Sequence, residues 1–113
     1  MRMWMIEPKT LCDNHLLGEH AERHKHRHSF VKGHRMDGRK GQIEPLAMKK
    51  RHDELAAEML ARGMHHNSPY AMPDLSYLSD EIRTMTVDPF ESSISLWSRC
   101  EECYERARDF WEV

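Results

Sequence analysis

Apolar residues in this chain fall at helical spacing and nowhere alternate in the two-residue rhythm of a strand. From Asp13 to about Lys32 they are sparse: Leu16, Leu17, Ala21, Phe30 and Val31 stand among charged and imidazole side chains, and Gly33 occupies a helix-stopping position. From about Glu44-Pro45 to Arg62 the positions Met48, His52, Leu55, Ala56, Met59 and Leu60 repeat at three- and four-residue steps, a buried stripe ended by Gly63. The third helix has the clearest start, with Asp88 as N-cap, Pro89 in the first turn and Glu91 as the partner in a capping box. From it Phe90, Ile94, Trp97, Cys100, Tyr104, Ala107 and Trp111 read as one continuous core stripe. The pattern predicts an all-α fold, a compact single domain over residues 1–113 with three main helices.

The connections follow from turn chemistry. Residues 1–10 form an irregular arm around Pro8, with Met3, Trp4 and Ile6 packed back on the core. Residues 34–41, HRMDGRKG, form a basic turn pivoting on Asp37-Gly38. Residues 64–87 contain two prolines and several turn formers, a long connection with room for one short helix at residues 78–85. No stretch is apolar enough to predict a signal peptide or membrane span, so the expectation is a soluble, cytoplasmic protein.

Polar positions change the picture on the first helix. With Asp13 as its cap, His15, Glu19, Glu22 and His26 follow at steps of four, three and four and share a face. Such a row is either a solvated face or a site.

Charge supports a site. The net charge is −2, yet residues 20–52 carry ten Lys/Arg against three acids, while residues 53–113 carry five against thirteen. A segregated basic segment attracts a polyanion even when the whole chain is slightly acidic. The bland alternative is mutual neutralisation of the two halves across the fold.

Two clusters suggest metals. The run HAERHKHRH places His20 and His24 at i,i+4 with His26 and His28 beyond, which could bind zinc or nickel; successive histidines on one helix, however, point around it, so no metal is expected there. Cys100 and Cys103 form a CEEC, and Cys12 stands alone, one thiolate short of a four-sulfur zinc site. The expectation is three reduced thiols that pack without a metal.

Four blocks in order carry a resemblance: L-x-D-x-H-L-x-x-E-x-x-E from Leu11 to Glu22, H-x-x-D-G-R-K from His34 to Lys40, K-R-x-x-E-L-x-A-E-x-L-x-R-G from Lys50 to Gly63, and P-x-E-x-S-I from Pro89 to Ile94. Together they resemble the phage pyrimidine-dimer DNA glycosylases, the ultraviolet-repair enzymes called endonuclease V. The resemblance implies a small three-helix protein, without cofactor or metal. It would flip a nucleotide from the duplex, attack the sugar C1′ with the terminal α-amine, and cut the strand by β-elimination.

Carried over by position, Met1 supplies the amine and Glu22 is the catalytic glutamate. Arg2 matches the arginine beside the nucleophilic residue, and His15 matches the active-site histidine of the first helix. The expected DNA-contacting set is Arg2, His15, Glu19, Lys25, Lys32, His34, Arg35, Arg39, Lys40 and His52. The expected partner is double-stranded DNA with a damaged or modified base, bound by a monomer in a bacterial or phage-infected cell. An α-amine titrates at about 7.7 to 8, so a useful fraction is nucleophilic near neutrality.

The chain also departs from the family pattern. Met1 stands where the best-known member exposes a threonine, Ala21 and Lys25 stand where arginines occur, and the acidic CEECYERARDFWEV replaces an aromatic, basic tail. Two other readings stay open: a non-enzymatic DNA-binding or inhibitory protein on the same scaffold, and the same iminium chemistry on another glycosidic bond.

Overall fold

A computed structural model describes residues 2–66 and 68–112, and all its regular structure is helical. The helices are α1 (Asp13–Val31), α2 (Met48–Ala61), α3 (Asp80–Arg83), α4 (Pro89–Trp97) and α5 (Glu101–Trp111), with 3₁₀ turns at Pro8–Thr10, Asp37–Arg39 and Pro45–Ala47. No helix among the described residues is long and apolar enough to cross a membrane.

The first two helices end where glycine permits it. Gly33 and Gly63 adopt φ of 73° and 79°, a left-handed geometry that costs other residues a Cβ clash. Asp13 is not the cap of α1. Cys12 is, its Sγ accepting from the His15 amide, while Asp13 reaches out to Arg62 at 2.9 Å. Arg62 also pairs with Glu58 at 2.8 Å and donates to the Leu11 carbonyl at 2.8 Å, fastening the end of α2 to the start of α1.

Helices α1 and α2 run antiparallel, and the apolar core is divided between their two ends. Met3, Phe30, Met36, Ile43 and Met48 join Tyr70, Leu75, Leu78, Ile82 and Val87 at one end. Trp4, Leu11, Leu16, Leu55, Met59, Leu96 and Cys103 pack at the other. The arm bridges the two, as Met3 enters the first cluster and Trp4 the second, with the Met3 amide donating to the Gln42 carbonyl at 2.7 Å. Leu17, Val31 and Leu60, which fit the apolar patterns, are exposed.

The third predicted helix is broken in two, and its expected core stripe is split: Ala107 is buried and Trp97 and Cys100 pack on the second cluster, while the other four positions face outward. Cys100 is extended (φ −136°, ψ 103°), which separates α4 from α5. Ser92, Leu96, Cys103 and Ala107 are the buried positions of these helices, whereas Phe90, Ile94, Tyr104 and Trp111 are exposed. Uniform helical periodicity across residues 89–111 does not survive this break, because the turn re-aims everything beyond it. The short helix in the connection is a single turn, α3, capped by Ser79.

Candidate functional site

Between the two apolar clusters the α1–α2 interface is polar and buried. Glu19, Glu22, Arg23 and His26 of α1 and Arg51 and His52 of α2 are all buried, so the polar row on α1 faces inward instead of being a solvated face. An inward polar face on a helix is costly unless its groups are paired. Arg51 grips Glu19 with two prongs, Nε to Oε2 at 2.6 Å and Nη2 to Oε1 at 2.9 Å, and its Nη1 donates to the Ile6 carbonyl at 2.7 Å. Glu19 is therefore fully engaged inside the protein.

Glu22, one turn further on, is held more loosely. Its carboxylate lies 3.4 Å from Lys25 Nζ and 3.8 Å from His26 Nε2, and its side chain keeps 11% exposure. Next to it Arg23 is wholly buried; Nε donates to the Glu19 carbonyl at 3.2 Å, but Nη1 and Nη2 have no hydrogen-bond partner among the described residues. Burial brings this guanidinium down to about 10, with Glu19 opposing the shift. A carboxylate without a two-pronged partner keeps acceptor capacity that the closed Glu19–Arg51 pair does not.

The chain start approaches the same layer. Arg2 is half-buried, lies over the Trp4 ring at 5.1 Å and donates to the Gly41 carbonyl at 3.3 Å. Burial and then Arg99 lower its pKa, while Glu91 and Glu19 raise it. Met1, the expected nucleophile, lies outside the described residues.

The remaining expected DNA contacts separate into two groups. Lys25, Lys32, His34, Arg35, Arg39 and Lys40 are exposed on α1 and the turn after it, where Arg35 pairs with Asp37 at 3.1 Å and Lys40 with Glu81. His52 is buried instead. Its Nε2 lies 3.1 Å from His20 Nε2 and 3.4 Å from His66 Nε2, while Nδ1 meets Asp53 at 2.9 Å. Burial, then His52, His66 and His24, lowers His20 to about 4. Three converging ring nitrogens with a carboxylate behind one of them could also hold a metal ion. His20, His52 and His66 come from α1, α2 and the following loop, so the convergence was invisible in the histidine run alone.

A comparison with protein families matches residues 1–72 to the family described as pyrimidine dimer DNA glycosylase. The chain belongs to that family. It is accordingly a DNA glycosylase in general terms, with DNA as its substrate. No curated protein and no solved structure matches it.

The matched part of this glycosylase holds the arm, α1, the basic turn, α2 and the loop through His66 and Tyr70; α3, α4 and α5 lie beyond it. Between arm and the last two helices is a cavity of about 360 Å³, lined by Ile6, Glu7, Phe90, Trp97 and Trp111 among others. Among the described residues its lining includes no cation, unlike a phosphate cleft.

His15 stands apart from the other site residues expected on α1. Its Nδ1 lies 3.2 Å from Cys12 Sγ and 3.5 Å from Cys103 Sγ, and its ring meets Trp4 edge-on. Cys100 completes a group of four whose ligand atoms all lie within 4.8 Å of one another. The sequence reading missed this group, together with the buried Arg23 and Arg51. Its signal was present as two pairs of equal spacing, C-x-x-H at 12–15 and C-x-x-C at 100–103.

Proposed function

We propose that this protein is a DNA N-glycosylase with abasic-site lyase activity, using the α-amine of Met1 as nucleophile and Glu22 as acid/base. The amine attacks the sugar C1′ of a damaged or modified nucleotide, the N-glycosidic bond breaks, and the base leaves with the bonding electrons. The C1′–O4′ bond then opens with O4′ taking a proton, and the resulting C1′ iminium acidifies the C2′ proton. Its removal expels the 3′ phosphate by β-elimination, and hydrolysis of the imine restores the amine.

The single observation that carries this reading is the state of Glu22 within a family member: nearly buried beside the cationic Lys25 and Arg23, but with one edge open to solvent. A carboxylate so placed can stabilise the iminium charge and move the proton that elimination requires. Exposed Lys25, Lys32, Arg35, Arg39 and Lys40 can track the phosphates, and Arg2 can hold the sugar–phosphate near the terminus. Glu19 serves as a positioning residue, keeping α1 in register with α2 through Arg51.

Borohydride trapping tests the mechanism. Native-start protein and a duplex with one abasic site should yield a covalent adduct, which mass spectrometry places on the Met1 amine. An adduct on a lysine, or none while duplex binding persists, would refute the terminal-amine mechanism; the second result is what a non-enzymatic binder would give.

A further inference from the structure

We infer that Cys12, His15, Cys100 and Cys103 form a zinc site that clamps the start of α5 to the start of α1. Three of the ligand-to-ligand distances are close to the edges of a tetrahedral ion, and all four ligand atoms lie within 4.8 Å of one another. Zn–S bonds of about 2.3 Å and Zn–N bonds of about 2.0 to 2.1 Å put sulfur–sulfur edges near ~3.8 Å and sulfur–nitrogen edges near ~3.5 Å. The Cys12 and Cys100 sulfurs are 3.9 Å apart, and His15 Nδ1 lies 3.2 Å from Cys12 Sγ and 3.5 Å from Cys103 Sγ. Three sulfurs and one imidazole are the donor set of closed, structural zinc sites.

Burial pushes the Cys103 thiol up, and the local backbone works against this by aiming amides at all three sulfurs. Cys12 is the N-cap of α1 and Cys100 the N-cap of α5, and the other ligand of each pair sits three residues on, in the first turn. Each sulfur accepts a backbone amide: Cys12 from His15 at 3.5 Å, Cys100 from Cys103 at 3.4 Å, and Cys103 from Cys12 at 3.2 Å. Two helix N-termini therefore face one small volume, where their dipoles stabilise negative sulfur. Oxygen side chains are the preferred N-caps, so capping alone does not account for cysteine at both positions. A shared metal does.

The site also explains the break between α4 and α5. A continuous helix would keep the direction of α4, whereas the extended Cys100 turns the chain so that Cys100 and Cys103 both reach α1. Only Cys12 and His15 lie within the family match, so the clamp joins the matched region to the segment beyond it. Zinc binding to three thiols and one neutral imidazole releases up to three protons and ties His15 away from DNA. The inference does not depend on the glycosylase mechanism, since metal binding is read without DNA.

Cobalt substitution tests it. The full chain, chelated under reducing conditions, is titrated with Co²⁺ and then with Zn²⁺. One equivalent of cobalt should produce the strong visible bands of a tetrahedral ion and a near-ultraviolet sulfur-to-cobalt charge-transfer band, both bleached by one equivalent of zinc. Cys100→His should keep the tetrahedral bands with a weaker charge-transfer band. On the unaltered chain, zinc should slow the reaction of all three thiols with a disulfide reagent by tenfold or more, a readout that stands if the variant fails to fold. Cobalt uptake without charge transfer, as the His20–His52–His66 group alone would give, overturns the inference. So does equal thiol reactivity with and without zinc, or a Cys12–Cys100 disulfide in the metal-free native protein.

Discussion

Glu19 and Arg51 form a buried two-pronged ion pair, at 2.6 and 2.9 Å, in the middle of the α1–α2 interface where the core is otherwise interrupted. Removing one partner leaves the other charged and out of water, which costs about 3 to 5 kcal/mol. Glu19→Gln and Arg51→Met should each lower the free energy of unfolding measured in urea by that much, and the double variant should recover part of the loss. Additive losses in the double variant would mean that the two side chains act independently.

Glu22 lies one turn from this pair but is closed off less completely. Glu22→Gln keeps the shape and removes the charge, so strand cleavage at an abasic site should fall by about a hundredfold to ten-thousandfold. Affinity for duplex DNA should be unchanged or improved, because one repelling charge is gone. Single-turnover cleavage and equilibrium binding on the same duplex separate the two effects, and undiminished cleavage would remove Glu22 from the mechanism.

The exposed cations of α1 and the turn after it should govern the salt dependence of binding. Each phosphate contact contributes about 0.9 to the slope of log affinity against log salt on duplex DNA. Replacing Arg35 and Arg39 with alanine should flatten that slope by nearly two and weaken binding to unrelated sequences equally. A slope that stays the same places the DNA on another face.

Acid should destabilise the polar layer through His20. In chelated protein its imidazole, facing His52, His66, His24 and Arg23, holds a proton only below about pH 4, whereas an ordinary imidazole takes one up near 6.5. Between those values the unfolded chain binds more protons, so stability falls as pH drops through the window. The effect is on the order of 1 kcal/mol. Urea unfolding at pH 7 and pH 5 should show a difference that shrinks in His20→Gln; the same difference in that variant would trace the acid sensitivity to other groups.

Much of the helical framework was legible from one-dimensional signals, and those signals are local. Gly33 and Gly63 mark where α1 and α2 stop because only glycine takes their backbone geometry cheaply. Met48, Leu55, Ala56 and Met59 are buried as their spacing predicts, and Asp88 caps α4 as its motif predicts. Exposed Leu60 and the outward Phe90, Ile94 and Trp111 show where the rule fails: periodicity groups side chains on a face but does not say which face meets a neighbour.

The sequence by itself determined that this chain is helical, that its basic segment lies in residues 20–52, and that Glu19, Glu22 and His26 share one face of α1, because backbone preference, charge and periodicity are written residue by residue. The tertiary structure alone decided that this face turns inward, that Arg51 closes on Glu19 while Glu22 is held more loosely, and that Cys12 and His15 meet Cys100 and Cys103. Those relationships join residues 32 to 91 positions apart, and no local rule specifies a contact made only when helices pack.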